Sequence, residues 1–439
     1  MKTNNFVYNL FAELNSNNIN YAVLRNYESL PNSCGKSDLD IYVSAKYISQ
    51  FYEIVSHVSK ITNSPLVSYT KDSNSPKLCY LGLSDGIQMD VFAGVITYKS
   101  NVMIPEETIE ENTIVYNGIR VLDKDFGNII ALIKEILNNG KCSEKYIDPV
   151  IENKDKYTKD YLTRNLKIFS KEFVNLLCES IKDEKIKECI QALCNNGRNS
   201  FKSNFTDKAK AMLSKFRRLF RHPGYTIAFL GTDGSGKSTV INAITPILNE
   251  AFHNGIRYEH MRPNHLPSLA VFMGKKKSDE PATVCSNPHG SKPAGLVGSL
   301  LRISYYMLDY TWGYFRKVFL DKAFKTHIWI FDRYYYDYLI DPRRGRISLP
   351  KWFLKFYGFF VPTPDLILCL GGDPEKIYAR KPETSLEEVT RQTKVLKEFC
   401  NSNKKAVWID TTTTPQESID ATTFAIQKMM VKRFSKTKL

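Results

Sequence analysis

The stretch Thr226-Ile-Ala-Phe-Leu-Gly231-Thr-Asp-Gly-Ser-Gly-Lys237-Ser-Thr239 decides how this chain is read. An apolar run with strand character, residues 226–230, leads into a segment that satisfies the pattern G-x-x-x-x-G-K-[ST]. Residues 239–248 then carry the spacing of a helix. Glycines in such a turn let consecutive backbone N–H groups point inward at the positive end of the following helix, which makes a cradle for phosphate. Gly231, Asp233, Gly234, Ser235, Gly236, Lys237, Ser238 and Thr239 are therefore the expected nucleotide contacts, with ATP and Mg²⁺ as the expected ligands. Lys237 reaches the β- and γ-phosphates in this reading, Ser238 places its hydroxyl on Mg²⁺, and Thr239 begins the helix packing.

Outward from this segment, strand candidates at residues 257–260, 327–331, 366–369 and 406–409 alternate with helical patterns. That order predicts an α/β domain, a parallel sheet flanked by helices. Between its second and third strands, residues 263–293 are rich in Pro, Ser, Lys and Gly and read either as a mobile lid or as a plain surface loop. Residues 296–324 follow with an aromatic helical pattern.

The run His327-Ile-Trp-Ile-Phe331 ends at Asp332-Arg333-Tyr334, on the carboxyl edge where open α/β sheets bind ligands. Asp332 is expected in the Mg²⁺ shell or on a substrate hydroxyl, and Arg333 as a bidentate phosphate clamp; an ion pair closing the strand end is the structural alternative. Asp341-Pro-Arg343-Arg344-Gly-Arg346 gathers three guanidinium groups that suit a polyanion, although a solvated charge run has the same composition. Asp373-Pro374-Glu375 opens a short helix closed by Arg380-Lys381, and Ser385-Leu-Glu-Glu388 is a capping box that restarts a helix with Arg391. Two short helices about a basic turn suggest a lid, whose Arg380 or Arg391 neutralises charge as a phosphoryl group moves.

Taken together, these residues resemble the thymidylate kinase family of P-loop nucleotide monophosphate kinases over residues 224–433. The resemblance rests on the loop from Asp233 to Thr239, Arg262-Pro263, Asp332-Arg333-Tyr334, Pro364-Asp365-Leu366 and the basic stretch from Arg380 to Arg391. It implies that Arg262 and Arg333 contact the acceptor while Lys237 and Arg380 or Arg391 serve the donor. The chain departs from that family after Tyr334, where Tyr-Tyr-Asp-Tyr replaces the Ser- and Gln-containing stretch that faces thymine. This variant pattern is similar to thymidylate-kinase-like proteins associated with bacterial surface polysaccharide synthesis. The implied acceptor is a sugar, glycan or nucleotide, with Arg343, Arg344 and Arg346 joining Arg262 and Arg333 on its side. Thymidylate as acceptor, and a nucleotide-gated scaffold without one, are the alternatives.

The amino-terminal part reads as α+β to about residue 130, with a helix at residues 6–15, strands at 21–24 and 39–43, and a helix at 45–59. Residues 126–194 look like a helical extension. Tyr21-Ala-Val-Leu-Arg25-Asn-Tyr precedes Gly35-Lys-Ser-Asp38-Leu-Asp40-Ile-Tyr-Val43, where strand alternation sets Asp38 and Asp40 on one face. Two carboxylates so placed suit one or two Mg²⁺, and Asp90 in the run 87–92 completes the set. This arrangement resembles the nucleotidyltransferase-like superfamily over residues 1–195, which implies a second transferase activity. A binding domain without catalysis is the alternative.

Between the two halves, residues 207–222 carry Met212, Leu213, Phe216 and Phe220 at helical spacing among Lys208, Lys210, Lys215, Arg217, Arg218 and Arg221. Such a basic amphipathic helix packs its apolar stripe on a neighbour or lies against a membrane surface. The expected domains are thus residues 1–200, the linker helix 201–223 and residues 224–439. With 439 residues, 43% of them hydrophobic, the chain has material for more than one core. A net charge of +15 predicts anionic partners, and the lack of a nucleic-acid motif disfavours DNA or RNA. Nine scattered cysteines without a C-x-x-C pair indicate neither a disulfide framework nor zinc. No apolar stretch approaches the roughly 20 residues of a bilayer span. A cytoplasmic P-loop phosphotransferase, bifunctional if the first domain is active, is the resulting expectation, with peripheral membrane contact and homodimerisation open.

Overall fold

The structure, a computed structural model, describes residues 5–35, 37–71, 75–99, 101–201, 205–267, 271 and 294–435. Lys36, most of the insertion expected to form a lid or loop, and the side chains of Lys208 and Lys210 lie outside the described residues. The chain divides into two compact units, one within Met1–Gly82 and Gly86–Arg217, the other within Arg218–Lys436.

The first unit is built on a mixed seven-stranded sheet. Its strands are β1 (Tyr21–Val23), β2 (Leu39–Val43), β3 (Leu66–Thr70), β4 (Lys77–Leu81), β5 (Gly86–Ala93), β8 (Thr113–Tyr116) and β9 (Ile119–Leu122), in the order β3-β4-β5-β2-β1-β9-β8. A separate hairpin joins β6 (Ile96–Tyr98) to β7 (Asn101–Ile104). Strand alternation supplies two cores. Tyr21, Val23, Ile41, Val43, Met89 and Val91 pack with the helices Phe6–Ser16 and Ile48–Ile61. Ala22, Tyr42, Phe92 and Leu122 turn the other way, onto Lys124–Asn139 and the helices that follow it up to Asn199. Asp123 caps Lys124–Asn139 by accepting from the Asp125 and Phe126 amides, and Gly140 ends it in the left-handed conformation. The helix expected at residues 45–59 begins as a 3₁₀ turn, Ala45–Tyr47, before Ile48–Ile61.

The second unit holds a fully parallel five-stranded sheet: β10 (Tyr225–Gly231), β11 (Ile256–His260), β12 (Ile328–Asp332), β13 (Leu366–Gly371) and β14 (Ala406–Asp410). The order β11-β12-β10-β13-β14 puts β10 in the centre, where every residue of the strand is buried. Such a continuous apolar run is what a strand covered on both faces requires. Asp365, at the opening of β13, is tied to the base of the sheet: it accepts from the Thr226 amide at 2.8 Å and pairs with Arg433 at 2.7 Å and Lys322 at 3.3 Å. Its place is at the end of the sheet opposite the phosphate-loop segment, so it anchors strands rather than touching a ligand there.

One expectation changes at this level. The helix after Ser385 is Leu386–Ser402, seventeen residues long, with Val389, Leu396 and Cys400 buried against the sheet; it is a layer of the fold, and not a short hinged lid. The basic amphipathic helix forms, as Phe205–Phe220, and Met212, Leu213, Phe216 and Phe220 are largely exposed along it. Among the described residues no helix is long and apolar enough to cross a membrane.

Candidate functional site

Strand β10 carries Gly231 to the carboxyl edge of the parallel sheet, and helix Lys237–Ala251 starts six residues later. Gly234 and Gly236 take φ of 80° and 77°, a region that strains any residue with a Cβ. A Cβ on Gly234 would also stand 2.7 Å from the Ile377 carbonyl oxygen. The turn lays the chain around the start of the helix, where unpaired amides and the helix dipole favour an anion.

Lys237 lies folded inside this turn. Its Nζ donates to the carbonyl oxygens of Gly231 and Thr232 at 3.0 and 2.9 Å. Burial first, and then the Arg333 guanidinium, push its ammonium down to about 7 against the pull of Asp332 and Asp233. The hydroxyls of Thr232 and Ser235 are buried without a hydrogen-bond partner among the described residues. Such groups are costly unless something polar meets them, so the loop suits a ligand rich in oxygen atoms.

A cavity of about 500 Å³ opens over the loop. It is lined by Asp233, Gly234, Gly236, Lys237, Ser238 and Thr239 from the loop and helix start, and by Asp332 and Arg333 from the end of β12. Arg344, Arg380 and Lys381 add positive charge. Parallel pairing sets this up, since Phe229 of β10 and His260 of β11 both align with Asp332. One carboxylate oxygen of Asp332 accepts from Tyr258 Oη at 3.0 Å, and the other is buried without a partner among the described residues. With the Ser238 hydroxyl in the same cavity, the donor set fits a hard divalent cation.

Arg333 adopts a left-handed backbone, φ 71°, and buries its guanidinium. One terminal nitrogen donates to both Asp337 carboxylate oxygens at 2.9 and 3.1 Å and to the Gly231 carbonyl oxygen at 3.2 Å; the other pairs with Asp233 at 2.7 Å. Burial opposes the charge, yet Asp337, Asp233 and Asp332 together raise the Arg333 pKa. Asp233 also pairs with Arg344. Burial works against its ionised form, but Arg333 and Arg344 still hold its carboxyl below the usual carboxylate range.

The remaining expected residues are not all gathered here. Arg380 lines the cavity and donates to the Thr411 carbonyl oxygen at 2.8 Å. Arg391 does not line it: its guanidinium pairs with Glu388 at 2.7 Å and donates to the Ile340 carbonyl oxygen. Arg262 is likewise outside the lining, bound to the buried Asp309 at 3.1 Å with its guanidinium over the Tyr306 ring. Of the three clustered arginines only Arg344 reaches the cavity, while Arg343 and Arg346 do not line it. Tyr258, His260, Thr411 and Asp337 escape a reading of the sequence. Asp337 alone leaves a local signal, four residues after Arg333 at the spacing of an ion pair.

In the first unit, parallel pairing of β2 with β5 aligns Asp40 with Asp90, and Asp38 precedes β2. One carboxylate oxygen from each of Asp38, Asp40 and Asp90 lies within 4.8 Å of the others. Arg25 pairs with Asp40 and, at 3.8 Å, with Asp38; Lys77 pairs with Asp90 at 3.5 Å. Burial pushes the Asp90 carboxyl up to about 7 despite Lys77. A second cavity of about 270 Å³ adjoins Asp40, with Arg25, Tyr146 and the half-buried Lys134 on its wall. Burial holds the Lys134 ammonium below its ordinary pKa. Three convergent carboxylates are a donor set for a divalent cation, and Lys77 and Lys134 are its unanticipated neighbours.

The fold and sites thus define an α/β chain with a parallel sheet, a phosphate-type loop at its carboxyl edge and a separate carboxylate cluster. No protein-family model matches the sequence, and no curated protein does. Among solved structures, thymidylate kinase from Ehrlichia chaffeensis is 17% identical with a TM-score of 0.30, covering 43% of this chain and 88% of that one.

Proposed function

We propose that the second unit transfers the γ-phosphoryl group of ATP to a hydroxyl or phosphate on a sugar, glycan or nucleotide acceptor, in the setting of surface polysaccharide synthesis. The observation that carries this reading is the convergence of Lys237, Arg333, Arg344 and Arg380 on one cavity at a helix start. Phosphoryl transfer needs little covalent help from a protein; it needs the reacting groups held in line and the moving charge neutralised. The loop amides and Lys237 hold the donor tail, Arg344 and Arg380 offset its charge, and Asp332 orients the acceptor side. Ser238 and Asp332 would hold Mg²⁺, which supplies further charge neutralisation on the terminal phosphates.

A non-thymidylate acceptor is supported by the tyrosines that come after Arg333. Tyr334 and Tyr335 are fully buried and Tyr338 nearly so, which makes them packing residues of the core in place of a base-facing polar stretch. In the first unit, the three-carboxylate cluster beside its own cavity supports nucleotidyl transfer as a second activity.

The test is transfer of label from γ-labelled ATP in the presence of Mg²⁺ to thymidylate, other monophosphates, sugar nucleotides and lipid-linked glycans. A labelled sugar-containing product that Lys237→Met abolishes, with the fold intact by circular dichroism, is the expected result. Equal turnover in that variant, or label on thymidylate alone, defeats the reading.

A further inference from the structure

The second unit exposes apolar side chains that its own core does not need. Helix Leu296–Leu308 and its continuation Asp309–Phe319 bury one face, through Ser299, Ile303, Tyr310, Tyr314 and Val318. The opposite face is apolar as well: Val297, Leu301, Leu308, Trp312 and Phe315 follow one stripe, each more than half exposed. Helix Lys351–Gly358 and the turn after it repeat the pattern. Leu354 enters the core, while Trp352, Phe356, Phe359 and Phe360 point outward, with Trp352 68% and Phe359 84% exposed. Ser304 lies on the first stripe and its Oγ meets Tyr357 Oη at 3.1 Å, which sets the two exposed faces side by side.

Charge separates this surface from an ordinary protein contact. Lys351, Lys355 and Arg316 are exposed around it, Arg316 resting on the Trp312 ring. The helix Lys351–Gly358 has no acid at all. Asp309 of the first element and Asp321 just beyond it are taken up internally: Asp309 by Arg262 and three loop amides, Asp321 by Lys325, His327 and Trp329. A second copy docking here would bring like charge against like charge. Tryptophan and phenylalanine ringed by lysine and arginine match the interface of a bilayer, where rings sit at headgroup depth and cations meet anionic phosphates.

We infer that this aromatic face docks the second unit on an anionic phospholipid bilayer. The claim does not depend on the proposed chemistry, because the face lies outside the residues that line the phosphate-loop cavity. It comprises other residues than the exposed stripe of helix Phe205–Phe220.

The experiment is co-sedimentation of the full chain with vesicles of phosphatidylcholine, with and without phosphatidylglycerol. Binding to the anionic vesicles is expected, with an affinity loss of about tenfold or more in a Trp352→Glu/Phe356→Glu/Phe359→Glu variant and none in Phe424→Glu, an exposed aromatic elsewhere. Brominated acyl chains should quench tryptophan emission, and less so after Trp312→Phe and Trp352→Phe. No binding, full binding by the triple variant, or loss only in Met212→Glu/Leu213→Glu overturns the inference. Concentration-dependent dimerisation that the triple variant abolishes, without vesicle binding, assigns the face to a second copy instead. A variant that fails to fold is replaced by Phe359→Ser, whose side chain makes little contact with the core, and the same outcomes apply.

Discussion

Arg333 Nη2 lies 2.7 Å from Asp233 Oδ1, tying the end of strand β12 to the middle of the phosphate-type loop. Through its other terminal nitrogen the same guanidinium holds Asp337 and the Gly231 carbonyl oxygen. One buried cation therefore fixes the loop, the strand end and the following helix in a single arrangement.

Arg333→Ala leaves Asp337, 2% exposed, as an uncompensated buried carboxylate. Breaking a buried pair from one side costs about 3–5 kcal/mol. Urea unfolding should show a loss of that order, with ATP binding lost in parallel. A loss below about 1 kcal/mol would mean that Asp337 does not depend on this guanidinium.

Gly234→Ala puts a Cβ at φ 80° and 2.7 Å from the Ile377 carbonyl oxygen. Strain at such a position costs of order 1–3 kcal/mol. Nucleotide affinity, read by calorimetry, should fall while the sheet keeps its circular dichroism signal. Unchanged affinity would show that the loop does not need this geometry to bind.

His327 gives a pH-dependent contribution. Its Nδ1 lies 2.6 Å from Asp321, and its Nε2 lies 3.3 Å from an Arg257 nitrogen that must donate to it, so the ring is neutral with its proton on Nδ1. Burial lowers its pKa below 6.5, outweighing the pull of Asp321. Because the folded pKa is depressed, the unfolded chain binds more protons below about 6.5, and the stability contribution is lost as pH falls through the folded value. Wild type should therefore lose more stability than His327→Gln between about pH 7 and about pH 5. Parallel unfolding midpoints for the two proteins over that range would refute the assignment.

Mn²⁺ should bind the first unit through Asp38, Asp40 and Asp90, whose oxygens lie within 4.8 Å of one another. Asp40→Ala removes the central ligand and should lower the affinity by about tenfold or more, as seen in water-proton relaxation. Binding that persists in Asp40→Ala together with Asp90→Ala would locate the cation elsewhere.

Much of the second unit is legible from short-range pattern. Buried parallel strands must be apolar throughout, so residues 226–230 and 366–369 declare themselves, and a phosphate-type turn needs glycine where φ is positive. The carboxylates of Asp38 and Asp40 are visible because strand alternation fixes a face locally. Side chains that meet across the sheet are not visible in this way. Tyr258 reaches Asp332 only because β11 and β12 pair in one register, and Lys77 reaches Asp90 only through β4 and β5.

The arginines mark the boundary most clearly. The sequence by itself determined that a phosphate-type loop precedes a helix and that basic residues crowd the segments after it, because glycine placement and charge are properties of the local chain. Only the tertiary structure decided that Arg344 and Arg380 face the loop while Arg262 and Arg391 are held by Asp309 and Glu388. Arg391 meets a carboxylate one turn back on its own helix, whereas Arg262 meets Asp309 only because packing brings together residues distant in sequence.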